Sequence, residues 1–133
     1  MKTLLTAGAL DELPANLEPN AAAAVRFLPP IPKPDKILCV GVNFRPHVEE
    51  MGRQVPEHPV VFVRFANSLV GHAADIVRPA ASRQYDYEGE LAIVVGRRAR
   101  AVDAAEALAC VAGFMPFLDG SVRDWQRHTS QFT

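Results

Sequence analysis

A chain of 133 residues with 49% hydrophobic and 22% charged side chains fits one globular domain or part of a larger one. Its formal net charge of −1 argues against a nucleic-acid or anionic-membrane partner recruited by charge. No apolar run approaches the roughly 20 residues that a membrane-spanning helix needs.

In chain order, residues 1–28 read as an alanine-rich helical lead-in, limited by Pro14 and Pro19. The opening "MKTLLTAGALDEL" carries Asp11 and Glu12 directly after its short apolar stretch. That argues against a secretory leader, and the expected location is cytoplasmic. "PPIPKP", residues 29–34, lacks amide donors at its prolines and reads as an extended linker or edge segment, so residues 1–34 form a lead-in and residues 35–133 the domain proper. "KILCVGV" (36–42) and "PVVFVRF" (59–65) are β-branched and aromatic runs bounded by Gly, Pro and Asn, and are predicted strands. Between them "RPHVEEMG" has Pro46 for a first helical turn and Gly52 for a stop, which predicts a short helix.

Glu88 to Val95 is a third predicted strand, closed by Gly96, and the arginines of "GRRAR" form a solvated hairpin tip. Asp103 with Glu106 predicts a capped helix running through "AAEALACV" to near Gly113, followed by extended backbone over residues 114–119. Ser121 with Asp124 predicts a second capped helix through "VRDWQRH". Strands mixed with short helices, without regular alternation, give an α+β class. Cys39 and Cys110, far apart and among apolar neighbours, read as buried reduced thiols.

The chemistry concentrates in "YDYEGELAIVV". Residues i and i+2 of a strand share a face, so Glu88 and Glu90 project together, and the two charges repel unless a cation lies between them. Either they are solvated, partnered by nearby arginines, or they hold a hard divalent cation, which prefers carboxylate oxygen. Asp119 is either a turn aspartate or a third donor. His47 and Glu50, at i and i+3 of a helix, place imidazole and carboxylate on one face, either as a general acid/base unit or as a surface pair. Arg123 and Gln126 repeat that spacing and either clamp a substrate carboxylate or face solvent. His58, His72 and His128 have no such companions and read as structural or solvated.

The segments "KILCVGVNFRPHVEEMG", "VVFVRFANSLVG", "DYEGELAIVVGRRAR" and "DGSVRDWQ", in this order and at these spacings, resemble the fumarylacetoacetate hydrolase family over residues 29–133. The resemblance implies a mostly β, mixed sheet or roll of the fumarylacetoacetase-like type. It implies a Mg²⁺ or Mn²⁺ site (with Ca²⁺ able to substitute in a crystal) at Glu88, Glu90 and Asp119. His47 and Glu50 match the family's His–Glu pair on a mobile lid, and Arg123 with Gln126 match positions lining the substrate site. The implied chemistry is C–C hydrolysis of an acylpyruvate-like 2-oxo acid, or decarboxylation or tautomerisation of an oxaloacetate-like one. Separately, the apolar strand edges of an incomplete sheet predict a homodimer or larger assembly. Two departures stand out: Phe44 replaces a tyrosine common in the family, and the family pattern continues past Thr133 to a substrate-holding lysine that Lys2, Lys33 and Lys36 do not match. The chain therefore reads as the front part of a catalytic domain, with a non-catalytic remnant that keeps the metal site as the alternative.

Overall fold

The structure, a computed structural model, describes residues 26–130. The lead-in helix expected over residues 1–28 lies almost wholly outside that range, and residues 26–28 are not helical. The proline-rich stretch that follows has no regular structure, as expected.

Strand β1 (Ile37–Gly41) pairs antiparallel with β2 (Val60–Arg64), with Cys39 opposite Phe62 and Ile37 opposite Arg64. Helix α1 (Arg45–Glu50) lies between them in sequence. Its start follows from Pro46 inside the first turn and from extended backbone at Phe44. Its end is set by Gly52 at φ +64°, with Gly52 N–H donating to Glu49 O at 2.9 Å and Arg53 N–H to Val48 O at 3.0 Å. That paired set of backbone bonds is the Schellman stop, and it needs a residue that tolerates positive φ.

After β2 a short 3₁₀ turn (Ala66–Ser68) leads into a long irregular stretch. Ser82 anchors the far end of this stretch. Fully buried, its Oγ donates to Asp124 Oδ1 at 2.6 Å and accepts from Gln84 N–H at 3.1 Å, while Arg78 Nη1 donates to its carbonyl.

The second sheet is a long hairpin, β3 (Tyr85–Val95) against β4 (Val111–Val122), with Glu88 opposite Asp119 and Glu90 opposite Phe117. It departs from the sequence reading in three places. First, β3 begins at Tyr85 and not at Glu88, so Asp86 joins the same face as the glutamates.

Second, the expected helix after Asp103 is reduced to one turn, α2 (Ala104–Ala107), and a 3₁₀ turn (Leu108–Cys110), and Asp103 makes no side-chain cap bond. Cross-strand pairing wins there: Gly96 N–H donates to Cys110 O at 2.8 Å, and Val95 meets Val111, drawing the β-branched residues into the ladder. Third, β4 runs on through Ser121, so Ser121 does not cap the last helix, α3 (Arg123–Gln126), whose cap position is Val122 without a side-chain bond. Arg123 N–H donates to Gln84 O at 2.8 Å, and this extends the backbone bonding up to the helix start.

The α+β class holds. Each hairpin has a less exposed face: Ile37, Cys39, Phe62 and Arg64 on the first, and Glu88, Glu90, Ala92, Val94, Met115, Phe117, Asp119 and Ser121 on the second. Val48 is the one fully buried apolar side chain among the described residues, while Leu38, Val61, Val63, Leu91, Ile93 and Phe114 face outward and are exposed. Among the described residues no helix is long and apolar enough to cross a membrane.

Candidate functional site

Period-two alternation along β3 brings Asp86, Glu88 and Glu90 to one face, and antiparallel register sets Asp119 across from Glu88. Two guanidinium groups meet these carboxylates. Arg123, at the first position of α3, approaches Glu88 Oε1 at 2.7 Å through Nη1 and Asp86 Oδ2 at 3.0 Å through Nε and Nη2. It also donates to Gln126 Oε1 at 3.1 Å, so the expected i, i+3 pair forms. Ser121 Oγ donates to Glu88 Oε1 at 3.1 Å.

Arg64, at the end of β2, ties the two hairpins together. Its Nη2 makes an ion pair with Asp119 Oδ1 and donates to Gly120 O at 3.3 Å. A Cβ at Gly120 would fall on the Tyr85 hydroxyl, so any larger residue there has to displace that side chain. Asp119 is buried, and its Oδ1 has no donor aligned in hydrogen-bond geometry despite the ion pair.

The electrostatics follow from these neighbours. Burial holds the Glu90 carboxyl above the ordinary range, and the charge of Glu88 adds to the effect. Arg123 draws the Asp86 carboxyl below its ordinary value by hydrogen bonding, and Ser82 does the same for Asp124. The Cys39 thiol is raised by burial, partly offset by the charge of Arg64 and by a hydrogen bond from it, while Glu90 and Glu88 add to the rise. Cys39 and Cys110 are both free thiols but only half-buried, short of the full burial expected from sequence.

Glu88, Glu90 and Asp119 lie on one face of the hairpin and offer carboxylate oxygen, the donor type that Mg²⁺ or Mn²⁺ takes. Among the described residues, however, no three His, Cys, Asp or Glu side chains converge on a single centre. Arg64 and Arg123 stand against Asp119 and Glu88 instead. The donor chemistry fits a divalent ion, and the two guanidinium groups supply the counter-charge in this geometry.

On α1, His47 Nδ1 lies 3.6 Å from Glu50 Oε2, and both side chains are exposed. The expected face-sharing pair is therefore present, at ion-pair and not hydrogen-bond distance. His58, His72 and His128 are exposed, the latter two in ring contact with Phe27 and Trp125. The arginine cluster that opens the β3–β4 connection is solvated.

Sequence reasoning missed Arg64, Asp86, Ser121 and Cys39. Alternation carries a signal for two of them: Asp86 continues the even-numbered face of Glu88 and Glu90, and Arg64 follows Phe62 on the inner face of β2. Ser121 was masked by its resemblance to a helix cap. Nothing local marks Cys39, whose neighbours come from other strands.

Comparison with known proteins adds a separate line. The family described as "Fumarylacetoacetate (FAA) hydrolase C-terminal" matches residues 36–133. The chain is 42% identical over 114 residues to human mitochondrial oxaloacetate tautomerase FAHD2A, covering 86% of this chain and 36% of that protein. Among solved structures, 5-carboxymethyl-2-hydroxymuconate delta-isomerase from Mycobacterium smegmatis superposes with a TM-score of 0.70 at 40% identity, covering 81% of this chain and 43% of that one. Fumarylacetoacetate hydrolase from Exiguobacterium antarcticum gives a TM-score of 0.74 at 32% identity, covering 96% of this chain and 48% of that one. The chain thus spans about a third to a half of the length of the relatives it matches.

Proposed function

The chain belongs to the fumarylacetoacetate hydrolase family, and from that premise we propose that it forms part of an enzyme that interconverts the keto and enol forms of a 2-oxo acid. The observation that carries this reading is the exposed His47–Glu50 pair, a carboxylate beside an imidazole on the sequence segment where the family resemblance puts a proton-transfer unit. It is supported by a tautomerase and an isomerase among the relatives. Both reactions move a proton at carbon next to a carbonyl and need no attacking water.

Glu50 stands on the Nδ1 side of His47, so Nε2 is the nitrogen left to face substrate. His47 takes the proton from the carbon alpha to the 2-oxo group and returns it to the enol oxygen, or runs the reverse. Arg123 and Gln126 hold the carboxylate beside the 2-oxo group, and their mutual bond at 3.1 Å keeps the guanidinium oriented. Glu88, Glu90 and Asp119 are the residues that would hold a divalent ion, and a bound Mg²⁺ or Mn²⁺ would supply Lewis-acid polarisation of a substrate carbonyl.

A second reading, C–C hydrolysis of an acylpyruvate, uses the same groups with His47 activating a water, and is supported by the hydrolase from E. antarcticum. The two separate in one pair of assays: decay of enol absorbance with oxaloacetate, and release of pyruvate from an acylpyruvate. We expect the first, with His47→Ala lowering kcat by about 10²–10⁴-fold. Calorimetry with Mg²⁺ or Mn²⁺ should show binding that Glu88→Ala abolishes. Metal binding unchanged by Glu88→Ala overturns the ligand assignment, and pyruvate release without enol decay overturns the tautomerase reading.

A further inference from the structure

We propose that Ser121 is a positioning residue for the divalent-ion site: its hydroxyl pins one oxygen of Glu88, so that the other is presented to the ion. The inference rests on the ligand set of the reading above and adds a residue outside that set.

Strand register sets the contact. Glu88 faces Asp119 across the ladder and Asp86 faces Ser121, so Ser121 is the diagonal neighbour of Glu88 on the same face. A glutamate side chain is long enough to span that diagonal. Ser121 Oγ donates to Glu88 Oε1 at 3.1 Å, and Arg123 Nη1 approaches the same oxygen at 2.7 Å. Both contacts end on Oε1, which leaves Oε2 as the oxygen turned away from the two donors. Asp119 and Ser121, two apart on β4, are 6% and 7% exposed, so the hydroxyl sits beside the ligand set and out of bulk water.

The local alternatives for this hydroxyl are already taken. Val122 and not Ser121 is the cap position of α3, and Asp124 accepts from Ser82. A buried hydroxyl needs a partner and has one hydrogen to donate, here committed to a carboxylate. Arg123 fixes Glu88 less tightly, because its guanidinium is divided among Glu88, Asp86 and Gln126. Its charge also competes with a cation for Glu88, whereas the neutral hydroxyl orients the carboxylate without that competition. A carboxylate already held loses less side-chain freedom when it takes an ion. Hydrogen-bond partners of metal ligands contribute to affinity in this way, by about tenfold to a hundredfold.

The test is a calorimetric titration of the full chain with Mn²⁺ alone, without substrate. Ser121→Ala is expected to bind Mn²⁺ about tenfold to a hundredfold more weakly, and Ser121→Thr, which keeps a hydroxyl, to recover most of that loss. Denaturant midpoints taken in buffer freed of divalent ions show that the variants compared are folded. If Ser121→Ala does not fold, Ser121→Cys, of nearly the same size and with a weak donor, takes its place. Wild-type affinity in Ser121→Ala overturns the proposal, as does an equal loss in a folded Ser121→Thr. The ligand set fails differently. Mn²⁺ binding that Glu88→Ala leaves unchanged removes Glu88 as a ligand and the role of Ser121 with it. Loss of binding in Glu88→Ala beside wild-type affinity in Ser121→Ala removes Ser121 alone.

Discussion

Ser82 shows how one hydroxyl can hold a loop to a helix. It is fully buried, bonded to Asp124 at 2.6 Å and to the Gln84 amide at 3.1 Å, so Ser82→Ala strands both partners at once. The Ser82 bond draws the Asp124 carboxyl below its ordinary value of 3.8. A carboxyl depressed in the folded state contributes stability that is complete above the unfolded value and lost as pH falls through the folded one. We therefore expect Ser82→Ala to lower the Tm by about a few degrees near neutral pH, with the Asp124 share of that difference fading once the pH drops below 3.8. Thermal melts of both proteins across roughly pH 2–7 check this. A gap that does not narrow toward acid would remove Asp124 from the account and leave the Gln84 amide as the cause.

At the scale of elements, the hairpin β3–β4 decides the site because its register fixes which carboxylates face each other. Gly120 is its tightest point, with the Tyr85 hydroxyl occupying the space of a Cβ and the Gly120 carbonyl accepting from Arg64. Gly120→Ala must push the tyrosine ring aside or bend the strand, an overpacking cost of about 1–3 kcal/mol. Denaturant unfolding should show that loss. An unchanged midpoint would mean that the ring swings away freely. The same element explains the failed helix expectations. Asp103 and Ser121 carry helix-start patterns, but a cap is worth only about 0.5–2 kcal/mol, and a continuous ladder beside it offers more bonds.

For the whole molecule, the decisive fact is how little apolar surface is covered. Val48 is the single fully buried apolar side chain among the described residues, while Leu91, Ile93 and Phe114 lie exposed on the outer face of the long hairpin. Contiguous apolar surface with two-stranded sheet edges invites pairing with another chain. The chain expressed by itself should sediment as a dimer or larger assembly, and Leu91→Glu with Ile93→Glu should reduce its size. A clean monomer for the unmodified chain would count against the association.

Much of the site was legible before any coordinates. Strand periodicity alone made Glu88 and Glu90 co-facial, helix spacing alone paired His47 with Glu50 and Arg123 with Gln126, and Pro46 and Gly52 bounded α1. The ordered motifs were enough for the family. These are local facts, set by backbone geometry within a few residues. What only the tertiary structure decided is which cation answers which carboxylate. Arg64 reaches Asp119 from another hairpin, and Arg123 reaches back across the ladder to Glu88 and Asp86. Such pairs depend on strand register and on packing between sheets, which arise from cross-strand contacts between residues far apart in the chain and leave no short-range pattern to read.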